Sequence, residues 1–171
     1  MAMIAYQGLR VRRIDQVIST DDIIPGRYKH MFTSASDLVP HLFENLLPGF
    51  AATFDHGDVL CCSQTFGIGS SREQAVSTLL AAGVRAVVAP RFGRIFFRNA
   101  WNLGLPAIEV DTSSFLESEC MDLDLVGGHA HCNLTTIVFP APPRQMLEMV
   151  EQGGLLALLA KRYSRSIPLR G

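Results

Sequence analysis

The chain of 171 residues carries few charges for its length and no long apolar run. Only 18% of its residues are charged, and 15 basic side chains nearly balance 16 acidic ones. No lysine-rich or arginine-rich arm is present, so the charge pattern gives no support to a nucleic-acid partner. No apolar run reaches the ~20 residues needed to cross a bilayer, and the N-terminus is too short and mixed for a signal peptide. We therefore expect a cytoplasmic protein that binds neither nucleic acid nor a membrane.

The chain also lacks a cysteine pattern that would predict a metal site or a disulfide framework. Its four cysteines are Cys61, Cys62, Cys120 and Cys132. No two of them form a Cys-x-x-Cys pair, and the first two are adjacent in an apolar run. We expect reduced, buried thiols and no metal held by this chain alone.

Both common phosphate-binding signatures are missing, but a different glycine-rich stretch is present. It reads Phe66-Gly67-Ile68-Gly69-Ser70-Ser71-Arg72-Glu73-Gln74-Ala75. The P-loop lysine and the last glycine of the dinucleotide fingerprint are absent from it. It lies between an apolar run and a helical pattern, where a fold offers free backbone N–H groups and positive potential to an anion.

The residue types in this stretch favour a carboxylate ligand. Gly67 and Gly69 permit a close approach of the backbone, Ser70 and Ser71 can donate hydrogen bonds, and Arg72 can bind a carboxylate in bidentate fashion. The alternative is a plain strand-to-helix turn in which Ser70 or Ser71 is the N-cap.

The remaining patterns predict an α/β fold in one domain, residues 1–171. Strands are expected at 59–63, 84–89 and 106–110, alternating with helices at 72–82 and 95–103, which indicates a parallel βαβαβ core. Residues 8–18 predict an opening strand or two, and residues 36–47 a short helix. Residues 121–126 and 134–139 predict an antiparallel hairpin around a turn at 127–130, and residues 142–151 and 155–160 predict closing helices before a frayed tail.

Three further groups of residues have both a functional and a structural interpretation. Residues 19–28 predict a structured loop that either is a turn capped by aspartates or presents Arg27 to an anion. Arg94 and Arg98 are spaced to share a helix face, which favours a solvated or subunit-facing stripe over substrate contact. The pair His129 and His131, with Cys132, could bind a metal, although an exposed pair in a turn is more often without a ligand.

The glycine-rich stretch resembles the signature of the aconitase superfamily's small, swivelling domain. Phe92-Gly93-Arg94-Ile95-Phe96-Phe97-Arg98-Asn99-Ala100 is similar to the segment that follows it in that family, and Gly104-Leu105-Pro106 continues the similarity. Thr20-Asp21-Asp22-Ile23-Ile24-Pro25 resembles the family's early loop. In its length the chain is similar to the separate small subunits of the isopropylmalate dehydratase and homoaconitase branch.

This resemblance implies a swivelling β/β/α domain with a mixed sheet, and a role as the small subunit of a heteromeric hydro-lyase. In that family a large subunit holds a [4Fe-4S] cluster, whose open iron binds the substrate, a hydroxy-di- or tricarboxylate. Ser70 would be the catalytic base, acting as an alkoxide. Substrate-binding residues would be Gly69, Ser71, Arg72, Arg27, Lys29 and His30.

Departures from the family pattern leave the substrate open. Ile68 stands where many relatives have Cys or Glu, and Gln74 stands where His is usual. Residues 27–31 replace a Tyr-Leu-Arg-Thr-like loop that reads the substrate's variable side chain in the family. The first prediction is the interconversion of 3-isopropylmalate and 2-isopropylmalate in leucine biosynthesis. The alternatives are a homoaconitase-like or 2,3-dimethylmalate dehydratase-like enzyme, or a carboxylate-binding module without catalysis.

Overall fold

A seven-stranded mixed sheet forms the scaffold of the computed structural model, which describes residues 4–28 and 30–166. Its strands are β1 (Ala5–Ile14), β3 (Asp58–Cys62), β5 (Val84–Ala89), β7 (Ala107–Glu109), β8 (Cys120–Asp124), β9 (His129–Cys132) and β10 (Thr135–Val138). They lie in the order β10-β9-β8-β1-β3-β5-β7. The four strands from β1 to β7 are parallel, and β8, β9 and β10 are added antiparallel. All five residues of β3 are buried, as expected for a strand covered on both faces.

A second, small sheet extends from the carboxyl ends of the first three parallel strands. It consists of β2 (Ile18–Ser19), β4 (Thr65–Ile68) and β6 (Arg91–Phe92), all parallel, in the order β2-β4-β6. Each of these short strands follows a strand of the large sheet after a break of one to three residues, at 15–17, 63–64 and 90. The small sheet therefore keeps the strand order of β1, β3 and β5, and its own carboxyl ends lie farther along the same direction.

Helices cover the sheets and return the chain for each parallel crossover. The longer helices are α3 (Glu73–Ala81), α4 (Arg94–Leu103), α5 (Arg144–Gln152) and α6 (Leu155–Ser166). Helix α4 buries Phe96, Ala100 and Trp101, which the helical repeat places on one face. None of the helices in the described part of the chain has the length and apolar content needed to cross a bilayer. The predicted mixed α/β fold with a parallel βαβαβ core is confirmed.

The single helix predicted for residues 36–47 is wrong. That stretch forms one helical turn, α2 (Ala35–Leu38), followed by a 3₁₀ turn at Val39–His41. Pro40 lacks a backbone N–H and its ring obstructs the preceding turn, so an α-helix cannot run through it. Phe43 has a φ of 56°, which also ends the helical path.

Three other local predictions need correction. The early loop contains a four-residue helix, α1 (Thr20–Ile23), and a 3₁₀ turn at Gly26–Tyr28. The predicted hairpin is a three-stranded meander, because residues 129–132 form β9 between the two predicted strands. The tail does not fray at residue 161, since α6 continues to Ser166.

Candidate functional site

The three motifs of the sequence meet at the carboxyl edge of the small sheet. Thr20 directly follows β2, Gly69 directly follows β4, and Gly93 directly follows β6. The carboxyl ends of neighbouring parallel strands lie at one edge, and ligands of open α/β sheets bind there. The fold therefore brings together three segments that are separated by tens of residues in the chain.

Two glycines allow β4 and the start of α4 to touch. The Gly93 amide donates to the Phe66 carbonyl at 2.9 Å, and a Cβ on Gly93 would lie 2.1 Å from the Gly67 oxygen. Gly67 itself has a φ of +77°, and a Cβ there would lie 2.3 Å from Cγ of Phe96. The Phe66 and Phe96 rings, 5.1 Å apart between centroids, form the buried support of this edge.

Ser70 and Ser71 lie exposed on the loop after β4. The Ser70 carbonyl accepts a hydrogen bond from the hydroxyl of buried Thr20 at 2.9 Å. Within the described part of the chain the Ser70 hydroxyl has no hydrogen-bond partner, and Asn99 donates to the Ser71 hydroxyl oxygen at 3.5 Å. The early loop thus fixes the Ser70 backbone and leaves its side chain available to a ligand.

Arg72 is anchored by the early loop at two points. Its Nη2 lies 2.5 Å from Oδ1 of Asp21, and its Nη1 donates to the Ile24 carbonyl at 2.7 Å. Only 12% of the side chain is exposed. A guanidinium has five N–H donors, so these contacts leave donors for a further anion. Gly26 packs closely against it, since a Cβ on Gly26 would lie 3.0 Å from Nη2.

The start of two helices adds positive potential to this edge. Helix α3 begins at N-cap Arg72 and α4 at N-cap Gly93, and neither cap makes a side-chain hydrogen bond. Uncapped first-turn N–H groups carry the positive end of the helix dipole. The alternative in which Ser70 or Ser71 caps α3 is therefore wrong, and both hydroxyls remain outside the helix.

Of the three substrate-binding residues predicted in the following loop, the structure describes Arg27 and His30. The Arg27 guanidinium forms an ion pair with Glu44, lies 3.3 Å from Oδ1 of Asn45, and sits 4.8 Å from the centroid of the Tyr28 ring. His30 is exposed, and Lys29 lies outside the described residues. The structure therefore brings together Gly69, Ser70, Ser71 and Arg72, with Arg27 already engaged by Glu44.

Sequence reasoning missed the roles of Thr20, Asp21 and Asn99. Thr20 and Asp21 belong to the early motif, but the pattern alone does not say which of two adjacent aspartates faces Arg72. Asp22 is used locally, in a capping box with Ser19, and Asp21 is left for the arginine. Asn99 could have been proposed from its place in the third sequence motif. In the fold, that motif lies beside Ser71.

Among the described residues, the histidine pair and Cys132 do not converge on a metal site. His129 and His131 lie on β9, not in a turn, and His131 contacts the Thr136 hydroxyl at 2.7 Å. Cys132 points to the opposite, buried face of that strand. Arg94 and Arg98 are exposed on α4 and line a cleft with Glu109.

Comparison with known proteins supports the aconitase resemblance. Residues 49–113 match the model of the aconitase C-terminal domain family. The chain is 38% identical to 3-isopropylmalate dehydratase small subunit 1 of Thermotoga maritima over 159 residues, which is 91% of this chain and 95% of that protein. It is 41% identical to the methanogen homoaconitase small subunit of Methanothermobacter thermautotrophicus over 152 residues, 86% of each chain.

A solved structure shares the whole architecture. The crystal structure of 3-isopropylmalate dehydratase from Methanocaldococcus jannaschii superposes with a TM-score of 0.87 at 32% sequence identity. The superposition covers 95% of this chain and 98% of the other. The two sheets and the edge that joins the motifs are thus features of a known fold.

Proposed function

The chain belongs to the family of 3-isopropylmalate dehydratase small subunits, and on that premise we propose that it forms half of the active site of a heteromeric hydro-lyase. The enzyme isomerises a 2-hydroxy acid by removing water and adding it back. The names of the relatives favour 3-isopropylmalate as its substrate. The observation that carries this proposal is the meeting of Ser70, Ser71 and Arg72 with the early loop at one electropositive edge.

Ser70 is proposed as the base that removes the proton next to a substrate carboxylate. Its hydroxyl is exposed and its carbonyl is fixed by Thr20, so the side chain can reach a ligand from a held backbone. A serine hydroxyl is too weak an acid to ionise unaided. The N-terminus of α3 and the cation of Arg72 supply the positive potential that stabilises an alkoxide and the developing charge on the substrate.

Arg72 and Ser71 are proposed to hold a substrate carboxylate. Arg72 keeps free N–H donors after its contacts with Asp21 and Ile24, and the Asp21 pair limits its motion. Holding a carboxylate here places the adjacent C–H bond beside Ser70, which lowers the entropy cost of proton transfer.

We place the [4Fe-4S] cluster of this enzyme class in the large subunit, because this chain's donors do not fit it. Cys61, Cys62 and Cys132 are buried, and Cys120 alone among the cysteines is exposed. Burial raises the pKa of the Cys61 and Cys132 thiols to about 12, so both stay protonated at neutral pH. Within residues 4–28 and 30–166 no three metal-ligating side chains converge. Free, buried thiols also favour the cytoplasm as the place of action.

A homoaconitase-type substrate is the second candidate. It is supported by the 41% identity to the methanogen homoaconitase small subunit over 86% of this chain. The two substrate classes differ in the group attached beyond the shared malate unit, which is apolar in one and carries a carboxylate in the other. Turnover of both acids by the same preparation decides between them.

Reconstitution with an iron–sulfur large subunit tests the proposed function. The expected result is no turnover by this chain alone and turnover of 3-isopropylmalate by the pair. Binding of carboxylates without any turnover by the pair would instead identify a non-catalytic binding module.

Ser70→Ala tests the proposed base within that pair. The substitution is expected to lower kcat by about 10²–10⁴-fold, which is the usual contribution of a general base. Assembly should be unchanged, because Ser70 is exposed and its fixed carbonyl remains. Ser77→Ala on helix α3, where the hydroxyl bonds only a carbonyl of its own helix, is the matched control. Near-normal turnover by the Ser70 variant would refute the assignment.

A further inference from the structure

The segment 26–32, of which residues 26–28 and 30–32 are described, begins in contact with the proposed carboxylate site. A Cβ on Gly26 would lie 3.0 Å from Nη2 of Arg72 and 3.2 Å from Oδ1 of Asp21. The chain leaves the site through the 3₁₀ turn at Gly26–Tyr28 and continues to Phe32. The conformation of this segment therefore decides which side chains border the carboxylate cradle.

One imidazole from the next segment stacks on both aromatic rings of segment 26–32. The His41 ring lies 4.0 Å from the Tyr28 ring and 5.5 Å from the Phe32 ring between centroids, with interplanar angles of 27° and 29°. The Tyr28 and Phe32 rings are themselves 5.9 Å apart. With 25% of its side chain exposed, His41 is partly shielded by these contacts.

Glu44 links that imidazole to the first half of the segment. Its Oε2 lies 2.7 Å from Nδ1 of His41, and its Oε1 accepts the ion pair from Arg27. A carboxylate cannot donate a hydrogen bond, so Nδ1 carries the hydrogen. The Arg27 guanidinium also lies over the Tyr28 ring. Arg27 and Tyr28 are therefore held both by the ion pair with Glu44 and by ring stacking with His41.

Among residues 26–28 and 30–32, the backbone hydrogen bonds of this segment give only local order. The Tyr28 amide donates to the Pro25 carbonyl at 3.0 Å, and the Met31 amide donates to the Tyr28 carbonyl at 3.1 Å. Both bonds close turns within the segment and do not attach it to a neighbouring element. Side chains attach the segment to the rest of the molecule: Tyr28 and Phe32 pack against the hydrophobic core and on the His41 ring, and Arg27 pairs with Glu44.

We propose that His41, held by Glu44, is a positioning residue that sets the conformation of segment 26–32 and thereby the substituent that the substrate may carry. This inference rests on the proposed function, because the segment borders the substrate only if a carboxylate binds at Arg72. His41 acts through the rings of Tyr28 and Phe32 and through Arg27. If His41 had a purely structural role, its loss would lower stability and would lower kcat/KM for all substrates by the same factor. If it positions the segment, its loss changes the ratio of kcat/KM between substrates.

Hydrogen exchange on the isolated chain tests the positioning itself. In His41→Ala the amides of Tyr28 and Met31 are expected to exchange at least about fivefold faster, because local opening becomes easier. His41→Phe keeps an aromatic ring for stacking and should restore protection to within about twofold. His131→Ala is the matched control, since it removes an exposed histidine of β9 whose ring contacts the Thr136 hydroxyl on β10. Unchanged exchange in His41→Ala would overturn the proposal.

Selectivity of the reconstituted enzyme tests the consequence. The ratio of kcat/KM for 3-isopropylmalate to that for 2,3-dimethylmalate is expected to change at least about fivefold in His41→Ala, through KM and with kcat for the preferred acid nearly unchanged. His41→Phe should return the ratio towards wild type. An equal loss with both acids would overturn the specificity role. A wild-type pair that turns over no hydroxy acid would refute the proposed function, and the exchange result would still judge the positioning separately.

Discussion

At the scale of single residues, Arg72 joins two motifs that lie about fifty positions apart. Its guanidinium contacts Asp21 and the Ile24 carbonyl, and it also forms the N-cap of α3. One side chain thus connects the early loop to the loop that carries Ser70. Replacing it is expected to affect both the proposed anion site and the contact between the two loops.

Arg72→Lys is expected to raise KM by about 10–100-fold with a smaller effect on kcat, because a lysine cannot bind a carboxylate in bidentate fashion and cannot keep both anchors. Steady-state kinetics of the reconstituted pair provide the measurement. Arg91→Lys, at an exposed position on β6, serves as the control and should retain normal kinetics. A variant with unchanged KM would show that Arg72 has only a structural role.

Residue types predict an anion site at these positions, but they do not predict the partners of its side chains. The glycines, hydroxyls and guanidinium of the central motif carry that prediction. The choice of Asp21 for Arg72 and of Glu44 for Arg27 depends on contacts between distant segments. Such choices are decided by packing, which no local pattern contains.

At the scale of elements, the glycines of β4 and of the start of α4 determine how closely strand and helix pack. Gly67 combines a left-handed φ of +77° with a contact against Phe96 that has no room for a Cβ. Gly153, which ends α5, has almost the same φ of +76°, and nothing lies within 4 Å of its Cβ position. Comparing alanine substitutions at Gly67 and Gly153 therefore separates the cost of a left-handed backbone from the cost of a steric clash.

Gly153→Ala is expected to lower the free energy of unfolding by about 1–2 kcal/mol, the cost of a left-handed conformation for a residue with a Cβ. Gly67→Ala should cost about 1–3 kcal/mol more, because the added methyl also displaces Phe96. Urea unfolding of both variants measures the difference. Equal destabilisation would mean that Phe96 moves aside without cost.

Helices and strands that are long enough to show a hydrophobic periodicity are predictable from the sequence, and shorter ones are not. The strands and helices between residues 58 and 109 follow apolar runs and helical stripes, so they appear in the order expected. Strands β2, β4 and β6 have two to four residues, too few to show a periodicity, and the glycines of β4 are as typical of a turn as of a strand. Residues 36–47 are the opposite case. Their apolar periodicity predicts a helix, but Pro40 prevents a continuous α-helix there.

At the scale of the whole molecule, burial of Cys61 in the centre of the large sheet links stability to alkaline pH. Burial raises the pKa of this thiol from an ordinary value of 9.0 to about 12. Between these values the folded chain holds a proton that the unfolded chain releases. Its contribution is therefore fully present below pH 9 and is lost as the pH rises through about 12.

Over that window the free energy of unfolding is expected to fall by about 1.4 kcal/mol per pH unit for this thiol. Cys61→Ala should remove that part of the slope, although the cavity it leaves lowers stability at every pH. Urea unfolding between pH 9 and 11 measures the slope. Ser77→Ala, which removes a hydroxyl and no thiol, is the control and should keep the wild-type slope. An unaltered slope in Cys61→Ala would exclude this thiol as the source.

The anchoring of Arg72 and Ser70 has a kinetic consequence for assembly. Asp21, Ile24 and Thr20 hold the proposed half-site within the chain itself, so its geometry does not depend on a second subunit. If assembly needs no rearrangement of these loops, its rate is set by collision of the subunits. Activity should appear without a lag after mixing, at a rate proportional to the concentration of each subunit.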